Sequence, residues 1–159
     1  GAYAWVYYAL HWGTAPNLPK INKMVVLAGP YNGIMNKGHA NQPTNGELAG
    51  LWDDSPRANY LMKNGRPKII HEEYRRLLER KNDFPTNTRV LNIYGDLKDG
   101  TRSDGLVTEP SVRSLKYLVA NRAKSYQEYE IKGEMGQHSR LHIDNPEVSD
   151  KLTQYLWGK

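Results

Sequence analysis

Apolar positions along the chain follow two patterns. Met24-Val25-Val26-Leu27-Ala28 is a continuous apolar run closed by Gly29-Pro30, the mark of a strand covered on both faces. Arg89-Val90-Leu91-Asn92-Ile93-Tyr94 is a second such strand, ended by Gly95. Tyr126 to Lys132 alternates instead, with Glu128 and Glu130 set among Tyr129 and Ile131, and reads as a strand nearer a sheet edge. Helical spacing follows two of these strands. From Glu109 to Ala123, Val112, Leu115, Leu118 and Val119 share one stripe, with Pro110 in the first turn where proline is tolerated. From Pro146 to Trp157, Val148, Leu152 and Leu156 form another, with Asn145 as N-cap and Gly158 as stop. Ala2 to Trp12 is also predicted helical, with Trp5, Val6, Ala9 and Leu10 facing inward.

This alternation of strand, loop and helix predicts an α/β fold with a parallel sheet flanked by helices. Residues 31–86 break the alternation. They contain Gly33, Gly38, Gly46, Gly50 and Gly65 with many Asn, and only Lys68–Lys81 has helical periodicity. An excursion of that length between neighbouring strands reads as a cap or lid, the alternative being a surface insertion without a role.

Composition narrows the class. Leu, Ile, Val and Phe total 32 of 159 residues, at the edge of what disorder allows, but 11 Tyr and 4 Trp make up the missing core area. No apolar run is long enough for a membrane span. The net charge of +5 is spread along the chain, and the basic run at Arg75–Lys81 is preceded by Glu72 and Glu73 at helical pairing distance. A nucleic-acid partner is therefore not expected. With no cysteine, disulfides, thiolate metal sites and a cysteine nucleophile are excluded.

In parallel sheets, reactive groups gather in loops at the carboxyl ends of strands. The loop after the second strand, Gly95 to Val107, carries Asp96, Asp99 and Asp104, and the loop after the third, Gly133 to His142, carries His138 and His142. An Asp orienting a His is two thirds of a hydrolytic triad. Plainer readings exist. Ser103-Asp104-Gly105 is also a good tight turn, and His138 and His142 are spaced for zinc. Ser139 stands where the zinc-helix motif needs Glu, and the acidic loop lacks EF-hand spacing, so neither metal is expected. His11, His39 and His71 have no acidic or histidine partner at useful spacing. None of the seven serines lies in a Gly-x-Ser-x-Gly elbow. The small residues Gly1-Ala2-Tyr3-Ala4 suit the helix that follows such an elbow. Triad order on this architecture is serine, acid, histidine, so the serine is expected just before Gly1, off this chain.

The segments Val25–Ile34, Val90–Asp96, Ser103–Val107, Ser114–Leu118, Gln137–His142 and Leu156–Lys159 together resemble the C-terminal portion of a cell-surface alpha/beta-hydrolase family of low-GC Gram-positive bacteria. The resemblance covers nearly the whole chain outside residues 35–67. It implies a lipase- or esterase-like serine hydrolase acting on a small-molecule or lipid-like ester, without a cofactor. It carries Asp104 over as triad acid and His138 as triad base, with a Gly-His-Ser-Met-Gly elbow ending at Gly1. By their places in the chain, Asp96, directly after the strand, is expected to cap or brace the acid loop, and His142, nearer the last helix, to support its loop or contact substrate. The resemblance also implies an extracytoplasmic, membrane- or wall-associated protein, and a missing N-terminal part of the same domain as the partner of residues 1–159. The alternative function is a non-catalytic surface or binding module that keeps the hydrolase fold. If the first strand pairs with a strand from that missing part, its outer edge here is open and the chain is not an autonomous monomer.

Overall fold

The computed structural model describes residues 1–35, 52–53 and 72–158. Most of the expected 31–86 cap, with His39 and His71, lies outside the described residues. The elements run α1 (Ala2–Trp12), β1 (Lys23–Leu27), β2 (Ile34–Met35), β3 (Trp52–Asp53), α2 (Glu72–Glu79), β4 (Arg89–Asp96), α3 (Glu109–Arg113), α4 (Leu115–Val119), β5 (Ser125–Lys132) and α5 (Pro146–Trp157). Short 3₁₀ turns occupy Lys81–Asp83, Gly133–Gly136 and His138–Leu141.

Strands β1, β4 and β5 form one parallel sheet in that order, and β2 pairs with β3 separately. Strand β4 is central, and its apolar residues serve two cores. Val90 and Tyr94 join Val6, Leu10, Tyr74, Leu77 and Leu115 on one face, while Leu91 and Ile93 join Ile131, Leu141 and Val148 on the other. Burial on both faces is what the continuous apolar runs required. Helices α1 to α4 cover the first face, and α5 with the last 3₁₀ turn covers the second.

Several local features differ from the pattern read in the sequence. The stripe from Glu109 to Ala123 is split into α3 and α4 at Ser114, whose hydroxyl donates back to the Ser111 carbonyl and competes with the helical ladder. Thr108 caps α3 by accepting from the Ser111 amide, as Asn145 caps α5 by accepting from Val148. In α1, Val6, Ala9 and Leu10 are buried but Trp5 is 58 % exposed. It stands about 100° around the helix from Val6, beyond the edge of the buried stripe. Of the Lys68–Lys81 helix, Glu72–Glu79 is helical, and residues 68–71 lie outside the described residues.

Strand β4 also continues through Gly95 and Asp96, which pair with Ile131 and Lys132. Gly95 is therefore not a stop signal. A Cβ built on it would lie 1.8 Å from the Gly136 carbonyl oxygen, and one on Gly136 would lie 2.3 Å from the Ile131 oxygen. The turn after β5 thus rests directly on the backbone of β4. Gly95→Ala is expected to cost about 1–3 kcal/mol in denaturant unfolding, as overpacking of a filled site does. It should also shift the His138 backbone amide resonance. A variant with wild-type stability and an unmoved His138 amide would contradict this account of the contact.

Candidate active site

The acid loop leaves β4 at Asp96 and is closed by its own backbone. Leu97 N–H donates to Ser103 O at 2.9 Å, Ser103 and Thr108 form an antiparallel bridge, and Glu109 N–H donates to Arg102 O at 2.8 Å. Within it Asp104 is 1 % exposed. Its Oδ1 accepts from the amides of Leu106 at 2.9 Å and Val107 at 2.7 Å. Gly105 makes this wrap possible because it holds φ at +98°, a conformation costly for other residues.

The second carboxylate oxygen faces the histidine turn. His138 Nδ1 donates to Asp104 Oδ2 at 2.7 Å, and the His138 amide donates to Asp104 O at 2.9 Å. Acid and imidazole are therefore joined through side chain and backbone at once. With Nδ1 carrying the proton, the neutral ring presents Nε2 as an acceptor, and no described protein group bonds to it. The His138 side chain is 34 % exposed and borders an open cleft of about 910 Å³. Mostly apolar walls surround this cleft, formed by the start of α1, by β1, and by Leu106 and Val107.

The other candidate residues lie differently. Asp96 is 5 % exposed and accepts from the amide and the ammonium group of Lys98, each at 2.8 Å, while Lys98 Nζ also reaches Glu130 at 2.6 Å. Burial pushes the Asp96 carboxyl up, but the two Lys98 hydrogen bonds and the Lys98 charge outweigh it and hold the group below its ordinary value. Asp96 therefore braces the loop through Lys98. His142 borders the same cleft as His138, and its exposed ring makes no hydrogen bond among the described residues. His11 lies on α1, where Nδ1 donates to Tyr7 O and the ring stacks on Tyr7. Among the described residues, no cluster of three His, Cys, Asp or Glu is placed to hold a metal, and no helix is long and apolar enough to cross a membrane. Sequence reading did not single out Leu106, whose side chain borders the cleft while its amide holds Asp104. Its place directly after Asp104-Gly105 was the available signal.

A parallel sheet covered on both faces, with an acid loop after one strand and a histidine turn after the next, is an alpha/beta-hydrolase arrangement. The chain belongs to the family described as alpha/beta hydrolase of unknown function (DUF915), which it matches over residues 1–159. Two solved structures share the fold. One is the product of gene lin2722 from Listeria innocua, at 22% identity and a TM-score of 0.73, covering 100% of this chain and 55% of that one. The other, from Lactobacillus plantarum WCFS1, is named a "putative cell surface hydrolase", at 18% identity and a TM-score of 0.61, covering 98% of this chain and 50% of that one. The chain thus spans about half the length of these similar structures. No curated protein matches it.

The hydrogen bond to Asp104 raises the His138 pKa above the ordinary 6.5, against the opposing effect of partial burial and with added help from the carboxylate charge. A folded pKa above the unfolded one means that this stabilisation is fully present below about pH 6.5 and is lost as pH rises through the folded value. An NMR titration of the His138 ring is expected to show a midpoint above 6.5, which Asp104→Asn moves down. An unchanged midpoint in Asp104→Asn would refute the coupling.

Proposed function

We propose that this chain supplies the acid and the base of a serine hydrolase acting on an ester-like acyl substrate. The observation that carries the proposal is the 2.7 Å hydrogen bond from His138 Nδ1 to Asp104 Oδ2, beside a cleft, with Nε2 unengaged by any described group. A serine hydroxyl presented to Nε2 loses its proton to His138 as its oxygen attacks the ester carbonyl. Asp104 fixes the Nδ1–H tautomer and stabilises the imidazolium that forms. The ring then returns the proton to the departing alcohol, and a water activated by the same nitrogen releases the acyl group.

In this reading the serine belongs to the missing N-terminal part of the same domain, in an elbow leading into α1. The edge of β1 supports that placement. Asn22 O accepts from Arg89, and Ala28 N–H donates to Ile93 O, so even-numbered residues of β1 face β4. Lys23, Val25 and Leu27 then turn their amides and carbonyls toward the edge that no described strand covers, on the wall of the cleft. An apolar strand with a bare edge favours pairing with another strand. The apolar cleft walls favour a lipid-like or other apolar ester. The name of the Lactobacillus plantarum structure supports a cell-surface location. In this reading His142, on the same cleft, contacts substrate.

In the full-length protein, fluorophosphonate should label a serine before Gly1. His138→Ala should cut ester turnover by a factor on the order of a thousand or more, with His142→Ala much milder. Absence of labelling and of ester turnover would favour the non-catalytic surface module. A severe His142→Ala with a mild His138→Ala would reassign the base.

A further inference from the structure

Asp104 is held by a loop whose ends are themselves held by charge. Glu109 sits immediately after the loop, and its two carboxylate oxygens have different partners. Oε2 accepts from Arg102 Nε at 2.9 Å, and Oε1 accepts from Arg113 Nη1 at 2.8 Å. Arg113 Nε continues to Glu128 Oε2 on β5 at 2.9 Å, and Glu128 Oε1 accepts from the Tyr126 hydroxyl at 2.9 Å. A continuous chain of ion pairs therefore runs from the acid loop through α3 to the sheet. We propose that Glu109 is a positioning residue for Asp104, its carboxylate clamping the base of the acid loop to the sheet through Arg102 and Arg113.

Three observations favour this over an ordinary surface ion pair. The Glu109 and Glu128 side chains are only 15% and 18% exposed. By contrast, the Arg75–Glu79 pair on α2 is 57% and 63% exposed, in the range where such pairs contribute little. Arg102 holds φ at +53°, so it needs an external hold to stay there. Glu109 provides two, through its amide to Arg102 O and its carboxylate to Arg102 Nε. Only Ser103 separates Arg102 from Asp104, and the Ser103 hydroxyl accepts from the Gly105 amide on the far side of the acid. Movement at Arg102 is thus passed directly to the carboxylate that meets His138. Arginine suits the second link because its rigid fork addresses two carboxylates from fixed directions, which a lysine ammonium does not.

The proposal rests on the reading of Asp104 and His138 as acid and base, and it is tested by a readout independent of turnover. Asp104 is the charged group that meets the His138 ring, at 2.7 Å. The His138 NMR titration is therefore compared in Glu109→Gln, Arg102→Gln and Asp104→Asn, with Glu79→Gln as a distant control. If the clamp positions Asp104, both Glu109→Gln and Arg102→Gln lower the His138 midpoint, by on the order of half a pH unit. Neither lowers it further in the Asp104→Asn background. If these groups act on His138 only through their field, removing the anion lowers the midpoint and removing the cation raises it, and the proposal fails. It also fails if both variants melt earlier while the His138 midpoint stays at the wild-type value. Arg102 is 47% exposed, so its variant remains decisive should Glu109→Gln not fold. A wild-type midpoint in Asp104→Asn would overturn the acid–base reading itself, an outcome distinct from failure of the clamp.

Discussion

The close approach of Gly136 to Gly95 governs the rest of the site. Strands β4 and β5 run parallel and in register from Arg89↔Ser125 to Asp96↔Lys132, so their carboxyl ends stop at the same level. The chain leaving β5 must fold back across the end of β4, and it does so with backbone against backbone, where a single Cβ would collide. That contact brings the next turn over the acid loop and sets the His138 amide on the Asp104 carbonyl. The side-chain bond at 2.7 Å follows from a backbone already docked.

The two outer strands of the sheet show opposite treatments of an edge. Strand β5 carries Glu128, Glu130 and Lys132, with Glu128 tied to Arg113 and Glu130 to Lys98, which makes it charged and unsuited to further pairing. Strand β1 carries Met24, Val25, Val26 and Leu27, with one face packed under α1 and its outward amides on the cleft wall. Charge at one margin and apolar side chains at the other make the two edges chemically unlike, and His138 borders the same cleft as β1.

Much of this was legible in the residues, and what was not has identifiable causes. Continuous apolar runs marked β1 and β4, but double burial holds for β4 alone, the odd positions of β1 being half-buried beside the cleft, and the alternation of Tyr126–Lys132 marked an edge. Gly95 was misread as a terminator because its requirement is space at a distant backbone, which local sequence does not encode. The single helix expected from Glu109 divides because the Ser114 hydroxyl bonds within its own turn, an option a stripe of apolar positions does not register. The loops bearing Asp104 and His138 were visible from their place after strands. The clamp was only half visible, since Glu109 and Arg113 are four apart on a helix while Arg102 and Glu128 meet them through tertiary structure.

The two buried acids of the loop show how environment separates their chemistry. Asp96 is compensated by a cation, with Lys98 bonding it through amide and ammonium. A carboxylate already paired with a full positive charge gains little when a second one develops nearby. Asp104 is more deeply buried and, among the described residues, meets no cation, only two backbone amides on Oδ1 and the imidazole N–H on Oδ2. Neutral donors keep a buried carboxylate soluble in the fold without cancelling its field. When the ring across from it takes a proton, that field becomes a direct charge–charge attraction across the 2.7 Å bond. The physical difference between the two acids is thus the charge of the partner, and within this loop the fold gives the lysine to Asp96 and the histidine to Asp104.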